Sequence, residues 1–286
     1  MTPAQFTRSV RSLNRLRQIA QVLTRHGFGY IVAQINLAGY VPVWMLRKKG
    51  AVRTVEESGA ALGKRLARVC AEIGPTFIKL GQMVSTRRDI LPGDVADGLR
   101  SLQDEVPPFD TSQAMEVIAK DLGQPVDACY TWISEQPIAS ASIGQVYRAR
   151  GLEKEDLVVK VRRPDIENVI RLDMQLLHWM AESVERLMPE LRIYRPTMIV
   201  DELDQMLTRE LDYINEAATT ARFADAFRED TGIRIPEVHW ELTGPRVLTL
   251  QAIQGRNVLS LLNGAGSSGG GIDRPLVARR LAECYL

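Results

Sequence analysis

The sequence predicts an α+β protein, and three observations carry the prediction. Apolar residues recur at three- and four-residue spacing through 55–121 and again through 168–188 and 197–228, the mark of amphipathic helices. Between these blocks, residues 130–161 change to short strands with turn residues, closing on Leu157-Val158-Val159-Lys160-Val161. A further strand-like run, 246–251, is fenced by Gly244-Pro245 and Gly255. No internal repeat interrupts this order, and helical blocks around a few strands read as α+β.

The first 54 residues form a basic head. Nine of the 36 Lys and Arg residues lie there beside none of the 35 Asp and Glu, which leaves the body at −8 under a formal total of +1. Such a head points to an anionic surface, membrane or nucleic acid. No aromatic-interleaved basic patch occurs, so nucleic acid is the weakest partner. Residues 27–46, GFGYIVAQINLAGYVPVWML, are the most apolar window and reach spanning length. Gln34, Asn36 and Pro42 interrupt it, and Arg25 and Arg47-Lys48-Lys49 flank it. An interfacial or lipid-facing segment is therefore favoured over a spanning one, with plain core as the third reading. Each flanking cation near anionic lipid would add about 1 kcal/mol. The Arg-rich start also fits a mitochondrial presequence; a compact apolar core before a small-residue cleavage site, which a secretory leader needs, is not there.

The composition, 45% hydrophobic and 25% charged over 286 residues, suits a soluble globular protein with a sizeable core. Cys70, Cys129 and Cys284 stand far apart, as do His26, His178 and His239. They spell neither a disulfide framework nor a zinc site, and no metal ligands are assigned.

Residues 55–129 read as a helical extension. Within it, Gly74-Pro75-Thr76-Phe77-Ile78-Lys79-Leu80-Gly81-Gln82 opens a helix with Pro75 at its first position. Lys79, Gln82 and Thr86 fall on one polar stripe and Phe77, Leu80 and Val84 on an apolar one. Gly81 costs about 1 kcal/mol relative to Ala in a helix, so it implies a close approach, here expected against something polar. Pro107-Pro108-Phe109-Asp110 breaks the pattern, with Asp110 or Thr111 capping a helix through Ala119.

Residues 130–255 carry the chemistry. Ala139-Ser140-Ala141-Ser142-Ile143-Gly144-Gln145-Val146 places small residues in a tight turn before a strand. Backbone N–H groups can approach phosphate only past small side chains, and a second strand then presents Lys160 on the face opposite Val159 and Val161. That is the kinase arrangement of a loop over phosphates and a strand lysine, with an ordinary hairpin as the plain alternative. Downstream, Leu203, Leu207, Leu211, Ile214 and Ala218 form an apolar stripe on one long helix. Glu210 on that helix is the expected partner of Lys160. Asp212 and Glu216 are i,i+4 neighbours whose repulsion, about 0.2–0.5 kcal/mol, asks for a cation. Lys79 is expected to supply it. Residues 256–286 are a Gly/Ser linker and the start of an amphipathic helix. The literal G-x-G-x-x-G at 264–269 follows no strand and reads as linker.

Taken together, these segments resemble the UbiB/AarF/ADCK-type atypical kinase family over roughly 59–286. GPTFIKLGQMVSTRRDILP is similar to its lysine–x–glycine–glutamine motif and ASASIGQV to its alanine-rich phosphate loop. VVKV is similar to its lysine strand, the run Glu210–Asp212–Glu216 to its glutamate–x–aspartate motif, and VLTLQAIQG to its hinge. The resemblance implies a protein-kinase-like N-lobe with family-specific added helices and an incomplete C-lobe, binding ATP or ADP between lobes, with magnesium in the full-length parent. Nucleotide would be bound by Ala139, Ser140, Ala141, Ser142, Ile143, Gly144, Val146, Lys160, Gln251, Ala252 and Ile253. Lys79, Gln82, Glu210, Asp212 and Glu216 would form the ion-pairing and regulatory set. It further implies ATPase or small-molecule phosphotransfer in ubiquinone (coenzyme Q) biosynthesis, with a membrane lipid or quinone precursor and quinone-biosynthesis proteins as partners. The place implied is the bacterial cytoplasm, peripheral to the inner membrane, or the matrix side of the mitochondrial inner membrane.

The family's catalytic-loop Asp and Asn and metal-binding Asp follow the helix that begins at Arg274, and the sequence stops at Leu286. No catalytic residue is therefore assigned, and the chain is expected to show no ATP turnover, as a truncated piece, a partial gene or a decayed copy. The competing expectation is a non-catalytic nucleotide- or lipid-binding scaffold.

Overall fold

The computed structural model describes residues 10–35, 58–102, 106–255, 258 and 273–285. The linker with its G-x-G-x-x-G and the second half of the apolar window lie outside them. In chain order the elements are α1 (Val10–Arg25), α2 (Gly29–Gln34), α3 (Gly59–Ile73), α4 (Pro75–Ser85), α5 (Gly93–Leu99), α6 (Thr111–Leu122) and α7 (Val126–Cys129). The strands β1 (Trp132–Ile133), β2 (Ala139–Ser140), β3 (Gly144–Arg150) and β4 (Asp156–Arg162) come next. Then follow α8 (Ile166–Leu187), α9 (Pro196–Leu211), α10 (Tyr213–Ala226), β5 (Val247–Gln251) and α11 (Arg274–Tyr285). Two compact units result. The first comprises Met1–Ala114, Ala139–Gln145 and Arg162–Leu211, and the second Met115–Ile138, Val146–Val161 and Asp212–Leu286.

The first unit is helical. Its core joins Leu16, Ile19, Val22, Phe28, Val32 and Ile35 of the head to Val69, Ile73, Phe77, Ile170, Leu177 and Leu203. Where it is described, the apolar side of the head is therefore core, the third of the readings weighed for that window. No helix among the described residues is long and apolar enough to cross a membrane. Helices α3 and α5 meet backbone to backbone at Gly63 and Gly98: a Cβ on Gly98 would lie 2.7 Å from the Gly63 Cα. Gly74, at φ 122°, occupies the region only glycine enters freely and sets the turn from α3 into α4, with Pro75 at the first helical position. The approach at Gly81 is apolar rather than polar, since its missing Cβ leaves room for Leu102 and Cys70.

The second unit is built on an antiparallel sheet in the order β1-β3-β4-β5. Lys160 pairs with Leu248 and Leu157 with Gln251 across β4 and β5. Leu157, Val159 and Val161 are buried and Val158 and Lys160 only partly so, the alternation expected of a half-covered strand. Against β5 lies α10, through Tyr213 and Ala217 on Leu248 and Val238. The Asp121 carboxylate accepts the Arg246 N–H at 2.7 Å, and the Tyr130 hydroxyl meets Thr249 Oγ1 at 2.7 Å, so the start and the middle of β5 are tied down. Asp110 accepts from the Ser112 N–H at 2.8 Å and caps α6.

Candidate functional site

The long helix expected over 197–228 is two helices. At Leu211 α9 stops, Asp212 turns extended (φ −107°, ψ 102°), and its carboxylate accepts the Ile214 N–H at 3.0 Å as the N-cap of α10. Asp is a favoured cap because its short carboxylate reaches an orphan N–H of the first turn. The Arg162 guanidinium, only 10% exposed, donates to the Leu211 carbonyl and to Glu167 at 3.1 Å, closing the C-terminus of α9 with a cation. The restart shifts the helical phase. Leu203 and Leu207 are buried as expected, but Tyr213 and Ala217 then replace Ile214 and Ala218 on the inner face.

This break exchanges the expected ion pairs. In the first unit, Lys79 of α4 sits 3.1 Å from Glu210 of α9, with the lysine side chain 15% exposed and the glutamate side chain 37%. In the second unit, Lys160 of β4 sits 2.6 Å from Glu216 of α10. The expected assignment gave Glu210 to Lys160 and Asp212 or Glu216 to Lys79, and it is corrected. It assumed one helix on which Asp212 and Glu216 share a face, whereas Asp212 spends its carboxylate on a backbone cap. Lys79 thus pairs with Glu210 and Lys160 with Glu216. The Lys160 ammonium also lies 4.7 Å from the ring centroid of buried Tyr213. Glu216 stands in the first turn of α10, where the helix dipole favours a negative charge.

The small-residue turn belongs to the first unit up to Gln145. The Ala141 N–H donates to the Gly144 carbonyl at 2.8 Å, and the Arg163 N–H donates to the Ile143 carbonyl at 2.7 Å. Ser142, Ile143 and Gly144 are buried, and Ala139, Ser140 and Ala141 are more open. Gln145, fully buried, donates to the Phe109 carbonyl at 3.2 Å. The loop is thus fastened at several points rather than free, as expected where alanine and serine replace glycine. On the same unit Gln82 is half-buried along the Lys79 stripe.

In the second unit Val146 continues β3, its carbonyl accepting from the Ile138 N–H at 2.8 Å. At the end of β5 the Gln251 N–H donates to the Glu237 carbonyl and the Ala252 N–H to the Asp156 carbonyl, while Ile253 is exposed. A cleft of about 650 Å³ beside this strand end is lined by Glu153, Glu155, Asp156, Glu237 and Glu241. Five carboxylates there would repel a triphosphate, which sets this cleft apart from a phosphate site. Among the described residues no three His, Cys, Asp or Glu side chains gather as metal ligands.

One buried acid escaped the sequence reading. Asp173 of α8 is fully buried. Arg15 holds it bidentately, Nε to Oδ1 at 2.6 Å and Nη2 to Oδ2 at 2.7 Å, and Thr76 Oγ1 donates at 2.8 Å. Its signal was legible: an acid set among Ile166, Ile170, Met174, Leu177 and Ala181, the apolar stripe of a helix.

Residues 101–286 match the ABC1 atypical kinase-like domain. A protein of Pseudomonas putida (strain W619) named "Probable protein kinase UbiB" is 35% identical over 278 residues, 96% of this chain and 50% of that one. A Synechocystis protein, "Uncharacterized protein slr1919", is 40% identical over 190 residues, 66% of this chain and 34% of that one. The chain thus spans half or less of the length of these relatives. A solved structure, the Rv3197–erythromycin complex from Mycobacterium tuberculosis, is 27% identical with a TM-score of 0.49, covering 64% of this chain and 46% of that one.

Proposed function

The chain belongs to the ABC1 atypical kinase-like family, and from that premise we propose that it is the nucleotide-binding portion of an ATP-dependent atypical kinase or ATPase. The parent protein would support ubiquinone biosynthesis or related lipid metabolism at a membrane. The observation that carries the reading is the contact of 2.6 Å between a strand lysine, Lys160, and a helix glutamate, Glu216. Kinases use such a pair to hold a compact ammonium toward the nucleotide phosphates. Here Glu216 fixes the ammonium from one side and the face of Tyr213 from another. Within the second unit Val146 is the proposed contact to the base and residues 251–253 to its edge; the turn 139–144, taken by itself in the first unit, has the small side chains that a phosphate loop needs.

In the first unit Lys79 and Gln82 are a polar site of their own, with Lys79 paired to Glu210. Magnesium, when bound in the parent, supplies charge stabilisation for phosphoryl transfer. The membrane contact falls to the outward cations of α1, since its apolar side is core: Arg11 and Arg17 are exposed. A quinone precursor or lipid is the proposed small-molecule partner.

The test is a titration of the 286-residue chain with a fluorescent ATP analogue. A charge-assisted contact is worth about 1.5–3 kcal/mol, so Lys160→Ala should weaken binding by about tenfold or more. Glu216→Gln should weaken it in the same direction, while Glu241→Gln in the acid-lined cleft should not. Equal affinity in Lys160→Ala overturns the assignment.

A further inference from the structure

A carboxylate as deeply buried as Asp173 is costly to keep charged unless every side of it is paired. The structure meets that cost with three donors from two other helices. Arg15 gives its planar fork from α1, and Thr76, itself fully buried, gives its hydroxyl from the first turn of α4. The N-terminus of α4 has no side-chain cap of its own, because its cap residue is Gly74. The Asp173 charge, bonded to Thr76 at the second helical position, therefore stands where the α4 dipole is positive and an acid is stabilising. Thr76 and Lys79 are three residues apart and lie one turn above the other on neighbouring parts of one face. Whatever fixes the rotation of α4 at Thr76 also fixes the direction in which Lys79 leaves the helix.

We propose that Asp173, gripped by Arg15 and bonded to Thr76, is the positioning residue that aims Lys79 at Glu210, so that the head helix sets the state of that ion pair. This deepens the reading of Lys79 as a site residue. The head is then a working part of the site's scaffold. The Lys79–Glu210 pair, partly open to solvent, would be loosened by loss of a hydroxyl buried one turn away on α4.

The experiment is lysine acylation of the full 286-residue chain by isotopically labelled acetic anhydride without nucleotide, read residue by residue by mass spectrometry. Its outcome does not depend on whether the chain binds ATP, which the nucleotide titration decides separately. Thr76→Val keeps the volume and removes the hydroxyl. It should raise acylation of Lys79 about fivefold, the factor that one lost buried hydrogen bond implies. Lys64 on α3 and Lys160 on β4 should stay at wild-type rates, and Thr76→Ser should match wild type. Arg15→Lys keeps the charge without the fork and carries the same expectation should Thr76→Val not accumulate folded. Unchanged Lys79 acylation overturns the proposal. So does a rise shared by Lys64, Lys79 and Lys160, which would mean general loosening, or an equal rise in Thr76→Ser.

Discussion

Replacing Gly63 by alanine should destabilise the protein, although alanine is the better helix former. A Cβ on Gly63 would stand 2.2 Å from the Val95 carbonyl oxygen, 2.9 Å from the Gly98 Cα and 3.0 Å from the Val95 carbonyl carbon. All three are backbone atoms, so no flexible side-chain end can swing away. Restoring ordinary contact requires α5 to retreat by roughly 1 Å, a gap that forfeits a quarter to a half of the dispersion attraction across it. Overpacking of this kind costs about 1–3 kcal/mol, and the gain in helix propensity returns about 1 kcal/mol. With no side chain to yield, the upper part of the range applies, leaving a net loss of about 1–2 kcal/mol. For a urea slope of about 1–3 kcal/mol per molar, the unfolding midpoint should fall by roughly 0.3–2 M. Gly93→Ala is the internal control, because a Cβ there meets nothing within 4 Å. It should leave the midpoint level or raise it. A Gly63→Ala midpoint at or above wild type would show that the close approach of α3 and α5 does not govern stability.

Three further outcomes follow from the site and its scaffold. The hydrogen bond from His26, followed by the field of Arg25, holds the Glu72 carboxyl below its ordinary value of 4.5. Because the folded value is the depressed one, the contact's small, salt-screened stabilisation is full above pH 4.5 and fades as pH falls through the folded value. The stability difference between wild type and Glu72→Gln should stay constant above pH 4.5 and close as pH falls through the folded value, and a difference that persists unchanged into acid would refute the assignment. Burial pushes the Cys70 thiol up to about 12, so thiolate is scarce at neutral pH, and iodoacetamide should spare Cys70 in the native chain while labelling the more open Cys284. Arg11→Glu with Arg17→Glu should lower binding to anionic liposomes while leaving the circular dichroism unchanged; equal flotation would place the membrane contact elsewhere.

Deleting residues 1–54, a natural test of membrane binding from the sequence alone, is a poor one once the structure is known. It would remove Arg15 together with Leu16, Ile19, Val22, Phe28, Val32 and Ile35 from the core. Charge told where cations cluster, but not that the apolar side beneath them is claimed by other helices, because burial against a distant segment leaves no local periodic trace. The strands were legible, since Val159 and Val161 alternate with Lys160 in a period that permits one reading. Partnering across the helix break was not. Glu210, Asp212 and Glu216 were readable as the acids that matter, but a single cap residue changes the phase of everything after it. Asp212 just before Tyr213-Ile214 carried a helix-start signal, which the continuous stripe of leucines outweighed. The polar stripe of α4 did identify Lys79 as a residue with a partner, while its identity depended on where α9 ended.

The division of the chain into interleaved units has a consequence in time. Arg15 and Asp173 are separated by 158 positions along the chain. A ribosome adding about 5–20 residues per second needs roughly 8–30 s to deliver the second after the first. During that interval Val69, Ile73 and Phe77 become available to the head helix, but Ile170, Leu177 and Leu203, which complete the cover of its apolar side, have yet to be made. Neither unit is a contiguous stretch that could close early: the first is complete only with Leu211, and the second begins inside it and ends after it. Until the first unit is complete, the nascent head is only partly covered and open to a chaperone or a bilayer. A head that meets lipid first would have to be drawn back by Asp173 to complete the core.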